Sequence, residues 1–100
     1  MASERLVLTW TAVRALEVMH DGPMNVADFG ASMGYEQRAG PRNNLTGARV
    51  LIRLRSLGYV RWFVDQRNKP MWEITNDGLV AYRECEVDWA TKPKEAPDAD

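Results

Sequence analysis

Cysteine is nearly absent from this chain: Cys85 stands alone, which excludes an intrachain disulfide framework and any metal site built from several thiolates. Histidine is as scarce, and His20 has no second ligand at helical or loop spacing, so no metal site and no cofactor is implied. No apolar run approaches the roughly 18 residues of a membrane span, and Leu6-Val7-Leu8 is far too short for the hydrophobic region of a signal peptide. A cytoplasmic, reducing setting without membrane contact is therefore expected. Acids are scarce only locally. Over residues 38–69 a single acid, Asp65, faces eight bases, a balance of +7, which leaves five bases and thirteen acids, or −8, elsewhere. The net charge of −1 conceals this polarity, and phosphates respond to the local field.

What is present suits one globular domain. The chain has 100 residues, 45% hydrophobic and 27% charged, enough for a modest core. Four tryptophans can bury large surfaces in a domain of this size.

Residues 43–75 organise the rest. Ala48, Leu51, Leu54 and Leu57 recur at every third position and Val50 widens the apolar stripe, while Arg49, Arg53 and Ser56 take the opposite side. This predicts an amphipathic helix over about 43–57, stopped by Gly58. Two strands follow, 59–65 and 71–75, joined by the polar tip Gln66-Arg67-Asn68-Lys69-Pro70. With Phe63 opposite Trp72, the side chains Arg61, Phe63, Trp72 and Ile74 share one face, and Val60, Trp62, Val64, Met71 and Glu73 the other. One tryptophan is then core, and Trp62 is left for an interface.

The flanks supply the support. Residues 1–8 turn from polar to apolar and read equally as a loose arm, a short strand or an early helical turn. Thr9 caps a helix running to about His20, with Trp10, Val13 and Leu16 facing the core and Ala12 and Met19 nearby. Asp21-Gly22-Pro23 breaks it. Met24-Asn25-Val26 offers a short third strand, and Val26, Phe29 and Met33 mark a second helix ending at Gly34. A polar connection over 35–42 leads to Asn43 or Asn44 as the cap of the third helix. Thr75 caps a fourth helix with Asp77 in its first turn and a face of Leu79, Tyr82, Cys85 or Glu86, and Trp89, ending near Ala90. Residues 91–100 are rich in Pro, Ala and acids and read as a disordered tail. The expected organisation is an arm over 1–8, a domain over 9–90 and a tail over 91–100.

Three phrases carry a resemblance. Ala12-Val13-Arg14-Ala15-Leu16-Glu17-Val18 with Asp21-Gly22-Pro23-Met24-Asn25-Val26-Ala27-Asp28-Phe29 resembles the first two helices of MarR- and PadR-like regulators. Leu54-Arg55-Ser56-Leu57-Gly58-Tyr59-Val60 resembles the exit of their recognition helix, and Trp72-Glu73-Ile74-Thr75-Asn76-Asp77-Gly78 the phrase that closes their wing. The resemblance implies an α+β winged helix-turn-helix: a three-helix core, a wing of two to three strands and a C-terminal helix. The connection before the third helix is longer than in the family, and the long extra helices for dimerisation and small-molecule binding are missing, so no effector is evident. A minimal domain of the kind phages and mobile elements encode is expected.

Carried onto this chain, the resemblance places the third helix in the major groove of double-stranded DNA. Asn43, Asn44, Thr46 and Arg49 are the candidates for base edges, because Asn matches adenine and Arg matches guanine. Arg42 and Arg53 are candidates for phosphates, and Arg67, Asn68 and Lys69 at the wing tip for a minor groove or backbone. Arg55 and Arg61 are open between that role and pairing with acids. The tiny footprint of one domain and the surplus aromatics Trp62, Tyr82 and Trp89 point to a homodimer. The alternative is a winged-helix module that grips a protein partner. Gly30-Ala31-Ser32-Met33-Gly34 matches the nucleophile-elbow pattern but has helix-like sequence before the serine and no histidine after it, so no catalytic residue and no enzyme is expected.

Overall fold

The structure, a computed structural model, describes residues 6–35 and 42–93. Strand β1 (Val7–Thr9) runs directly into helix α1 (Trp10–Met19), where the Thr9 hydroxyl accepts the Ala12 N–H at 3.1 Å. Helix α2 (Val26–Ser32) starts in the same way, with the Asn25 side-chain oxygen accepting the Asp28 N–H at 2.7 Å. Both caps satisfy donors that a first helical turn leaves open. The inward stripe of α1 is Ala15, Leu16 and Met19, flanked by Ala12 and Val13. Trp10, expected in the core, is only half-buried, and its backbone N–H goes instead to the Thr91 hydroxyl at 2.8 Å.

Helix α3 (Arg42–Ser56) lies across α2. Gly47 is buried where the two helices meet, and a Cβ built there would stand 3.4 Å from the Phe29 ring, an ordinary contact. Leu51 and Leu54 point into the core with Phe29, Leu16 and Met19, the largest fully buried side chains. Leu57, expected on the same stripe, lies past the helix end and is 52% exposed. Gly58 takes φ 83°, and the carbonyls of Arg55 and Leu54 accept the N–H groups of Gly58 (2.9 Å) and Tyr59 (3.0 Å). Only a residue without a Cβ enters that left-handed turn at no steric cost.

The wing consists of β2 (Val60–Val64) and β3 (Pro70–Ile74), paired antiparallel with Trp62 opposite Trp72 and Phe63 opposite Met71. This is one residue away from the expected register, and the turn explains the slip. Asp65 and Lys69 still pair, the Asp65 N–H donating to the Lys69 carbonyl at 2.9 Å. The loop thus shrinks to residues 66–68, with Asn68 at φ 64° in the position such three-residue hairpins reserve for a left-handed residue. Pro70, expected at the tip, becomes the first residue of a strand, a place where its missing N–H is tolerated. One residue of slip exchanges side-chain faces between strands. Val60, Trp62 and Val64 therefore lie with Pro70, Trp72 and Ile74, and Arg61 and Phe63 with Met71 and Glu73. Of the tryptophans, Trp72 is the buried one. The third strand reduces to one residue, Met24, whose N–H and carbonyl each bond Trp72 at 2.9 Å.

Thr75 caps helix α4 (Asn76–Glu84), its hydroxyl accepting the Gly78 N–H at 3.0 Å and donating to the Gly58 carbonyl at 2.6 Å. The helix stops at Glu84, well before the expected end near Ala90. Cys85 turns extended, and strand β4 (Glu86–Asp88) pairs in parallel with β1, Leu8 opposite Val87, before a 3-10 turn over Trp89–Thr91. Among the three readings left open for residues 1–8, the strand is the one realised at Val7 and Leu8. Its partner is the stretch expected to be the last turns of a helix. Residues 94–100, most of the expected tail, lie outside the described residues, as do residues 36–41 of the connection.

Candidate nucleic-acid interface

The outward side of α3 is defined by the same 3.6-residue period that buries Leu51 and Leu54. Positions 45, 49, 52 and 56 follow one another at spacings of four, three and four and form one row, with Thr46 and Arg53 beside it. All six side chains are exposed. Arg42, Asn43 and Asn44 lie in the first turn of α3, so neither asparagine is the residue preceding the helix; their side chains are outside the described residues.

Charge on this side is available. Among the described residues no carboxylate pairs with Arg49, Arg53, Arg55, Arg67 or Lys69. Arg61 differs: it forms an ion pair with Glu73 across the wing, and its guanidinium lies 5.3 Å from the centre of the Phe63 ring. At the wing tip Arg67, Asn68 and Lys69 are all exposed. The only acid of the basic segment is turned to structural use there, one Asp65 carboxylate oxygen accepting the backbone N–H groups of Arg67 (2.8 Å) and Lys69 (2.9 Å). The two basic side chains are thus presented by a loop whose shape Asp65 sets.

Sequence reasoning missed two features of this surface. Leu45 and Ile52, 53% and 50% exposed, stand on either side of Arg49 in the outward row. A helical wheel drawn through Gly47, Leu51 and Leu54 would have found them opposite the core. The second feature is a groove of about 490 Å³ between α3 and the junction of β1 with α1. Val7, Leu8, Ala12, Val50, Leu54 and Leu57 make it mostly apolar, and Arg49 and Arg53 line it from α3.

The three aromatics assigned to dimerisation fall on three different elements. Trp62 on β2 is 48% exposed and Trp89 in the 3-10 turn 67%. Tyr82 on α4 is half-buried, with its ring 5.6 Å from that of His20. Burial, and then the neighbouring Glu17 carboxylate, push its phenol above the usual value. His20 caps the end of α1 and lies 3.4 Å from the Asp21 carboxylate. Ser32 is the exposed last residue of α2, with helix rather than strand before it, so the elbow geometry its motif requires is not formed. Among the described residues no three His, Cys, Asp or Glu side chains come together to hold a metal ion, and no helix is long and apolar enough to cross a membrane.

No protein-family model and no curated protein matches the sequence. Solved structures do match the fold. A MarR-family transcriptional regulator from Silicibacter pomeroyi superposes with a TM-score of 0.58 at 24% identity, over 73% of this chain and 46% of that one. Bacillus subtilis PadR, solved in complex with operator DNA, gives 0.56 at 15% identity, over 89% and 51%. The fold is therefore the winged helix-turn-helix of these regulators, and the chain spans about half the length of each.

Proposed function

We propose that this chain is a sequence-specific binder of double-stranded DNA, a small transcriptional regulator that acts as a homodimer. In this reading α3 enters the major groove and the loop around Arg67 and Lys69 reaches a minor groove or the backbone. The observation that carries it is the outward side of α3, where Arg49 and Arg53 are exposed and no carboxylate of the described residues neutralises them. Thr46 and Arg49 are the base-reading candidates there, with Asn43 and Asn44 earlier on the helix, and Arg42 and Arg53 are the phosphate candidates. The PadR structure supports the reading, since that protein is bound to operator DNA.

A salt series tests it. Each phosphate neutralised contributes a slope of about −0.9 in the logarithm of affinity against the logarithm of salt. Four phosphate-binding cations per domain (Arg42, Arg53, Arg67 and Lys69) predict about −3.6, a loss of about 150-fold between roughly 50 and 200 mM salt. Arg53→Ala reduces the slope by about 0.9, whereas Arg49→Ala lowers affinity and relaxes specificity at one base pair. The same series reads assembly, because a dimer placing two domains on one site doubles the slope to about −7. Trp62, Tyr82 and Trp89 remain the proposed dimer contacts.

A second reading is favoured by one observation. Trp62 and Val64 are 48% and 44% exposed on the wing, a surface suited to a protein partner. Failure to retain any duplex at low salt assigns the chain to that role.

A further inference from the structure

The outward row of α3 alternates apolar and polar groups in a way that phosphate binding alone does not call for. Leu45 and Ile52 are seven residues apart, about 10 Å along the axis at 1.5 Å per residue, with Arg49 between them. That span covers about three base-pair steps of 3.4 Å. Both side chains are half-exposed on a face that the core does not use. The major groove offers one apolar group, the C5-methyl of thymine, beside the acceptor pair of guanine that a guanidinium matches. The unpaired arginines on the same side of the helix select a polyanion over an apolar protein surface as the occupant.

Resting on the DNA-binding reading above, we infer that Leu45 and Ile52 are specificity residues, each packing against a thymine methyl group on either side of a base pair contacted by Arg49. The substrate class is then a duplex whose site carries two thymines about three steps apart. Leu45, Arg49 and Ile52 select among sequences, and Arg53 supplies affinity for any of them.

Uracil is thymine without the methyl group and pairs identically, so it isolates the contact. Duplexes selected by the protein from a random pool are resynthesised with deoxyuridine at one thymine at a time, and affinity is measured by fluorescence anisotropy. Two positions are expected to lose about fourfold each on removal of the methyl, the worth of one buried methyl-sized group. Leu45→Ala abolishes the thymine–uracil difference at one of them and Ile52→Ala at the other, each variant keeping the difference at the position it does not contact. Circular dichroism of each variant confirms that α3 is retained. Equal binding of thymine and uracil duplexes at every position overturns this inference and leaves the DNA-binding reading intact. Discrimination that survives both alanine variants also overturns it. No binding of the native chain to any duplex overturns both.

Discussion

Replacing Gly78 with alanine sets two effects of opposite sign against each other. Gly78 lies in the first turn of α4, where alanine is favoured over glycine by about 1 kcal/mol of helix propensity. The added methyl, however, would stand 2.1 Å from the Tyr59 carbonyl oxygen and 2.7 Å from Ile74 Cγ1. Ordinary contact begins near 3.4 Å, so α4 must retreat from the end of α3 by more than an ångström. That retreat opens the bonds fastening the two elements, Thr75 N–H to the Tyr59 carbonyl (2.9 Å) and the Thr75 hydroxyl to the Gly58 carbonyl (2.6 Å). Two such bonds are worth about 1 kcal/mol each, and overpacking costs about 1–3 kcal/mol more. The loss outweighs the propensity gain and leaves a net destabilisation of about 2–4 kcal/mol, a fall in Tm of at least about 8 °C. Urea and thermal unfolding followed by far-UV circular dichroism measure it. An alanine variant as stable as the native chain, or more so, refutes the close approach, because propensity alone predicts that sign. The consequence is also functional, since this junction holds the base of the wing against the exit of α3.

Two further outcomes follow from particular side chains. Asp65→Ala removes the acceptor that shapes the wing tip and is expected to cost about 1 kcal/mol in urea unfolding; Asp65→Asn keeps an acceptor oxygen, removes the one acid of the basic segment and binds duplex DNA more tightly, and equal stability of the two variants refutes the role given to the loop bonds. Burial raises the Cys85 thiol above its ordinary 9.0 and the Tyr35 and Tyr82 phenols above their ordinary 10.0, so the folded chain holds these protons more tightly than the unfolded one. Their contribution to stability is complete below the ordinary values and is lost as pH rises through the higher folded ones. Chemical denaturation at stepped alkaline pH should show that decline, and a flat profile with the fold intact refutes it.

Much of the molecule could be read along the chain because the forces concerned are local. Thr9 and Thr75 border their helices as a hydroxyl at a cap should, and Gly58 ends α3 where a left-handed residue is required. Each of these depends on bonds to residues three to five positions away. The period of α3 likewise put Arg49 and Arg53 on the wet side without reference to any other element. The same period was applied to Leu57 and to Trp10 beyond its reach, since one lies past the last helical turn and the other at the first. Leu45 and Ile52 escaped notice because an apolar residue inside a helix is read as core until the opposite face has been located.

Residue order alone therefore determined that helices α1 to α4 form, where α1 and α4 begin, and that a basic helix is followed by a basic hairpin. Tertiary structure decided the rest. Leu79, Tyr82, Glu86 and Trp89 keep a helical spacing past Glu84, yet α4 ends there because β1, more than seventy residues away, supplies backbone partners for β4. The hairpin register depended on whether Asp65 and Lys69 pair, a choice made by loop closure, and of the two tryptophans it places on one face only Trp72 is buried. The physical reason is the same in both cases. Period and capping are satisfied within a turn or two of chain, whereas strand partners and the fit of a face against the core exist only once distant segments have met.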